Sequence, residues 1–197
     1  MAEPFNRLRS KLNRAIAAYL LNPNAYLAVP DASLVPCGAK DDILPANAIT
    51  PNTYPNTTVQ ATLSKVEVPL TGLRRISVHL SIKGSAVQEV GEPNPEQKRV
   101  EFDQRIANTY DALMQSDDGQ SLRATARAIT AAGRALAVPV DNTAAALQLA
   151  ANNADMADFT CQAWFDSGEG DGMANAEGCS WEEILMFEAL CSASNTD

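Results

Sequence analysis

Histidine is nearly absent. The chain holds one, His79, and that scarcity removes most of the nucleophilic chemistry a protein of this size can carry. A Ser–His–acid or Cys–His centre needs an imidazole within hydrogen-bond reach of its nucleophile. His79 instead stands between Ser77 and Ser81 in an alternating run, where same-face neighbours on a strand are about 7 Å apart. A surface histidine on the polar side of a strand is the expectation. Cysteine is equally uninformative as chemistry: Cys37, Cys161, Cys179 and Cys191 lie 124, 18 and 12 residues apart and include no CxxC pair. With one imidazole to join them they compose no zinc site. Cys161 and Cys179 are spaced to face each other across a hairpin. In a chain without a secretion signal, reduced and buried thiols are favoured.

Long apolar runs are also missing. Nothing approaches the ~20 residues of a bilayer span, and the basic residues Arg7, Arg9, Lys11 and Arg14 are followed by polar–apolar alternation rather than a leader core. Neither signal peptide nor membrane anchor is expected, which implies a cytoplasmic chain or a particle assembled there. Aromatic residues are few, at 6%, but 46% hydrophobic against 20% charged residues still describes a globular chain, its apolar share resting heavily on Ala. A length of 197 residues suits one domain with its own core.

Basic residues vanish after Arg134, while 11 acids follow it. Residues 1–100 carry 11 Lys/Arg against 8 Asp/Glu, a balance of +3, and residues 101–197 carry 4 against 16, a balance of −12. Sequence-independent nucleic-acid binding depends on cations that neutralise phosphates, so the C-terminal part is unsuited to reading DNA. A solvated acidic surface and a field that matters for a partner both fit.

What is present is a readable series of elements. Phe5, Leu8, Leu12, Ile16, Tyr19 and Leu20 recur at helical steps over 5–21, and Pro23 ends the helix. Residues 22–57 hold Pro23, Pro30, Pro36, Pro45, Pro51 and Pro55, too many for a regular ladder or helix. Such a long excursion reads either as a surface loop or as an arm lying on a neighbouring subunit. A hairpin is expected over 58–83. Its first strand shifts phase at Ser64–Lys65, as at a bulge, and its second is the run Ile76, Val78, Leu80, Ile82.

Helices follow at 95–115, with Val100, Phe102, Ile106, Tyr110 and Leu113 on the apolar stripe, at 120–137 around Leu122, Ile129 and Leu136, and at 143–152. Strands return at 157–166, where Phe159, Cys161, Ala163 and Phe165 alternate with polar residues and Trp164, and at 180–191. The last segment has helical propensity. A strand is preferred because the alternating strand before the acidic loop requires a partner. The fold class is α+β: an N-terminal helix and a mainly antiparallel sheet packed against two or three helices in one domain, 1–197.

The remaining motif spellings fail on physical grounds. Gly168, Gly170 and Gly172 read GxGxG, but Asp166, Glu169 and Asp171 beside them repel phosphate. A calcium loop counted from Asp166 has Gly where its third and fifth ligands belong. Glu182 and Glu183 are adjacent on a strand and face opposite sides, so they form no acid/base pair. Asn56-Thr57-Thr58 spells a glycosylation sequon that has no secretory route to use. No catalytic, cofactor or metal residue is assigned, and no enzyme activity is expected.

The layout resembles the tail-terminator (tail-completion) and neck proteins of long-tailed bacteriophages. It is carried by the helix Phe5 to Leu21, the strand Arg75 to Ile82, the helix Arg99 to Met114, and the closing segments Asp158 to Phe165 and Trp181 to Glu188. The resemblance implies a virion structural protein assembled in the host cytoplasm. Identical subunits would form a ring of about six by head-to-tail contacts, docked to the tail tube and to neck or connector proteins, with DNA passing through. No membrane and no sequence-specific nucleic acid are implied. Subunit or partner contact is assigned to Arg7 and Arg14, to Pro36, Pro45 and Pro51, and to Glu169 and Asp171 in the acidic loop. A second reading is an acidic adaptor or inhibitor that binds one partner protein through that loop.

Overall fold

The computed structural model describes residues 4–45, 54–62, 73–85, 95–117, 119, 121–168, 173–174 and 180–192. In chain order these form α1 (Pro4–Leu21), β1 (Ile43–Pro45), β2 (Asn56–Thr62), β3 (Arg74–Ser85), α2 (Pro95–Leu113), α3 (Arg123–Ala135), α4 (Ala144–Asn152), β4 (Thr160–Asp166), β5 (Met173–Ala174) and β6 (Ser180–Ser192). The architecture is α+β with an N-terminal helix, as the hydrophobic periodicities predict. Among the described residues, no helix is long and apolar enough to cross a membrane.

The sheet runs β1-β2-β3-β6-β4, with β5 paired to the start of β6 beside β4. All pairings are antiparallel except the short β1–β2 ladder. Strand β6 is flanked along its length by β3, from Arg74↔Cys191 to Ser85↔Ser180, and on the other side by β5 near its start and β4 near its end. That pairing outweighs the helical propensity of its Glu, Leu, Met and Ala residues, because propensity is a weak prior beside a continuous ladder with β3.

One face of the sheet is built from Val59 and Ala61 of β2, Ile76, Val78, Leu80 and Ile82 of β3, Phe187, Ala189 and Cys191 of β6, and Trp164 of β4, all buried. Leu12, Ile16, Tyr19 and Leu20 of α1 and Ala126, Ile129 and Ala132 of α3 complete that core. The two helices approach closely because Gly133 has no side chain: a Cβ there would meet Phe159 at 2.8 Å and the Ala15 methyl at 3.0 Å. Tyr19 buries its hydroxyl by donating to the Ala112 carbonyl at 2.6 Å, tying α1 to the end of α2.

Three expectations change. On α2 the buried face is Phe102, Arg105, Thr109, Ala112 and Leu113, whereas Val100 and Tyr110 are exposed. Arg105 enters because Asp42 accepts from it at 3.2 Å. On β4 a bulge between Cys161 and Ala163 breaks the alternation. Trp164 therefore turns inward to 2% exposure and Phe165 outward to 44%. In the proline-rich excursion, residues 22–45 fold back onto their own chain. Asn24 bonds Asp31 and Leu34, Cys37 N–H donates to Leu20 at 2.9 Å, and Arg105 holds Asp42. Gly38 lies against that guanidinium, where a Cβ would sit 2.6 Å away. The Ser64–Lys65 bulge lies outside the described residues.

Candidate functional site

The helices occupy one side of the sheet, and its other side is open among the described residues. Thr58 and Gln60 of β2, Ser77, His79 and Ser81 of β3, Ile184, Met186, Glu188 and Leu190 of β6, and Phe165 of β4 share that side, and none is buried. Its charges are paired across strands: Lys83 lies 3.7 Å from Glu182, Arg75 lies 3.7 Å from Glu188, and Ser81 Oγ donates to Glu182 at 2.5 Å. His79 stands opposite Gln60 and Met186 with no nucleophile aligned to it.

On the helix side, a cleft of about 250 Å³ opens between α2, β6 and the end of β4, lined by Tyr110, Asp166, Glu183, Leu185 and Phe187. Tyr110 donates to Asp166 at 3.2 Å. Partial burial, and then that carboxylate, raise the Tyr110 phenol above its ordinary value. Glu183 shares the inward phase of Leu185 and Phe187, so an acid stands on the apolar face of β6. Among the described residues it has neither a hydrogen-bond nor an ion-pair partner. The cleft therefore joins carboxylates to aromatic rings, a combination that receives a basic group. Sequence reading separated Glu182 from Glu183 correctly but did not identify the cleft. The usable signal was the acid lying in phase with Leu185 and Phe187.

The residues assigned to contact from the sequence do not gather at one place. Arg7 is exposed on α1. Arg14, on the same helix, is held by its own chain, donating to Asn153 at 2.8 Å and Asp155 at 2.6 Å in the 3-10 turn after α4. Pro36 is exposed beside Cys37, and Pro45 is half-buried in β1 opposite Val59. Pro51, Glu169 and Asp171 lie outside the described residues, as does Cys179. Cys161, which the spacing matches to Cys179, stands opposite Cys191. Cys37 is sealed beside α2, its Sγ 3.4 Å from the Asn108 carbonyl, and burial pushes its thiol up to about 12.

Among the described residues no group of three or more His, Cys, Asp or Glu side chains is placed to hold a metal. A third exposed feature is apolar: Val138, Val140, Leu147 and Leu149, in and before α4, all reach solvent. The chain matches no family model, no curated protein and no solved structure.

Proposed function

We propose that this chain is a non-enzymatic structural protein of a long-tailed phage virion, a ring-forming subunit at the head–tail junction that completes the tail and docks to the neck. One observation supports this reading above the others: the apolar surface left open along residues 138–149. Val140 is 89% exposed there, with Val138, Leu147 and Leu149 also in solvent, and Asp141 is the only charge in the stretch. Burying a side chain of this kind is worth roughly 1.5–3 kcal/mol, so association is the way this surface gains stability. A second, unlike patch lies in the segment that follows α1, where Val29 is 81% exposed and Val35 is also open. Two different patches on one chain suit a head-to-tail contact, which closes into a ring when its rotation allows.

Light scattering across a concentration series tests this reading, with the protein alone and with tail tubes added. A closed assembly of about six subunits, dispersed by the double substitution Leu147→Asp and Leu149→Asp, is the expected result. A monomer under both conditions overturns it. The acidic cleft at Tyr110, Asp166 and Glu183 favours a second reading, an adaptor that seats a basic segment of one partner protein. A persistent monomer would bring that reading forward.

A further inference from the structure

We infer that Cys161 and Cys191 form a dithiol site that a small-molecule disulfide converts to an intramolecular disulfide, fastening the edge strand β4 to the central strand β6. The two residues are direct partners in the β4–β6 ladder. Both side chains are buried on the helix side of the sheet. Thr130 Oγ1 accepts from the Cys161 N–H at 2.9 Å, and its one proton is shared between the Cys161 carbonyl at 3.1 Å and the Ala126 carbonyl at 3.0 Å. Both backbone groups of Cys161 therefore point away from β6, which makes Cys161↔Cys191 a non-hydrogen-bonded pair. Cα atoms in such a pair are about 4.5 Å apart, inside the roughly 4.4–6.8 Å range that a disulfide bridges. Cys161 Sγ lies 3.4 Å from the Ala163 carbonyl, and burial, with the Cys161 thiol next, raises the Cys191 thiol well above its ordinary value. No other described cysteine is placed this way, since Cys37 is sealed beside α2.

Burial shields both sulfurs, so the reaction begins when the start of β4 peels outward. Thr130 holds that end closed, together with Arg134, which donates to the Phe159 carbonyl at 2.9 Å and to Thr160 Oγ1 at 2.7 Å. Once opened, Cys161 loses its proton to solvent and its thiolate attacks one sulfur of the small disulfide. That S–S bond breaks and one small thiolate leaves, taking a proton from solvent. Cys191, opened by the same motion, loses its proton to solvent. Its thiolate attacks the Cys161 sulfur of the mixed disulfide and expels the second small thiolate, which takes a proton from solvent. The protein dithiol gives up two electrons and two protons, and the small disulfide is reduced to two thiols. The new bond closes a loop of about 30 residues and restricts the unfolded chain.

Oxidised glutathione is the probe. The folded protein is incubated with it, remaining thiols are alkylated, and the digest is mapped by mass spectrometry. The expected product has lost two hydrogens, links the Cys161 and Cys191 peptides, and unfolds at a higher denaturant midpoint that dithiothreitol reverses. Thr130→Val should speed its formation about fivefold, the effect of removing about one hydrogen bond's worth of closure. Cys191→Ser should stop at a glutathione mixed disulfide on Cys161, whereas Cys161→Ser, which lacks the attacking thiol, should leave Cys191 alkylatable after unfolding. The inference is overturned if every thiol of the folded protein stays alkylatable after exhaustive treatment. A link through Cys37 or Cys179, or one that forms only in denaturant, overturns it equally.

Discussion

Along β3, Ile76, Val78, Leu80 and Ile82 are fully buried under the helices, while Ser77, His79 and Ser81 between them stay half-buried on the open side. The two faces share one backbone and one set of ladder bonds, so what separates them is side chains alone. The covered face joins β2, β3, β6 and β4 to α1 and α3 in a single apolar core. The open face carries hydroxyls, amides and ion pairs at 3.7 Å, with Ile184, Met186 and Leu190 set among them. Exposed pairs of that kind contribute about 0–1 kcal/mol each. Stability therefore resides on one side of the sheet, and the other is free to change at small cost.

The sharpest way to break that contrast is to truncate two neighbours on β6. Phe187, stacked on Trp164 at 5.0 Å between centroids, should lose about 3–5 kcal/mol on replacement by Ala. Met186→Ala, one residue away and facing the other side, should stay within about 0.5 kcal/mol. Urea unfolding reads both, and comparable losses would mean that the open face is covered. A medium effect tests a buried cation on the covered side. Arg105 is 8% exposed and Asp42 22%, so Arg105→Ala should cost about 2–3 kcal/mol, somewhat under a fully buried pair. Arg99→Ala removes a solvent-exposed pair with Asp103 and should cost about 0.5 kcal/mol or less. Equal losses from the two substitutions would remove the distinction.

The smallest of the three principal effects is one of pH. Burial pushes the Cys37 thiol from an ordinary value near 9 up to about 12, and burial likewise raises Tyr19. Both groups hold their protons more tightly when folded. Their contribution is complete below pH 9 and is lost as pH rises through the folded value. Raising the pH from 8 to 10 should cost about 1 kcal/mol at Cys37. Cys37→Ala should flatten that part of the curve in denaturant titrations, and an unchanged slope would show that Cys37 does not contribute.

Periodicity made the helices, the β2–β3 hairpin and the strand at 160–166 legible, and the need of that strand for a partner, against helical propensity, gave the last one. Periodicity failed where a single local event reset the phase or a partner reversed a residue's preference. The extra residue at Gln162 exchanges Trp164 for Phe165 on the covered face, and no composition rule marks a bulge at that position. Arg105 takes a buried place that the α2 stripe assigns to apolar residues, because Asp42, 63 positions earlier, waits for it. Proline count disclosed that residues 22–45 are irregular but not where they lie. That depends on Asn24, which closes the segment on Asp31 and Leu34, and on Cys37 and Asp42, which tie it to Leu20 and Arg105. The cleft was hidden for a similar reason, since Tyr110, Asp166 and Glu183 are brought together only by the final order of the strands.

The margins of the sheet carry one further consequence. At one margin, Thr130 occupies both backbone groups of Cys161 and a bulge follows. At the other, β1 is three residues long and ends in Pro45, which has no N–H to offer. Continuous strand edges are where sheets from separate molecules fuse into fibrils, and these devices blunt both. Among the described residues both margins are interrupted, so crowding this protein should favour contacts through side chains over extension of the sheet's backbone ladder.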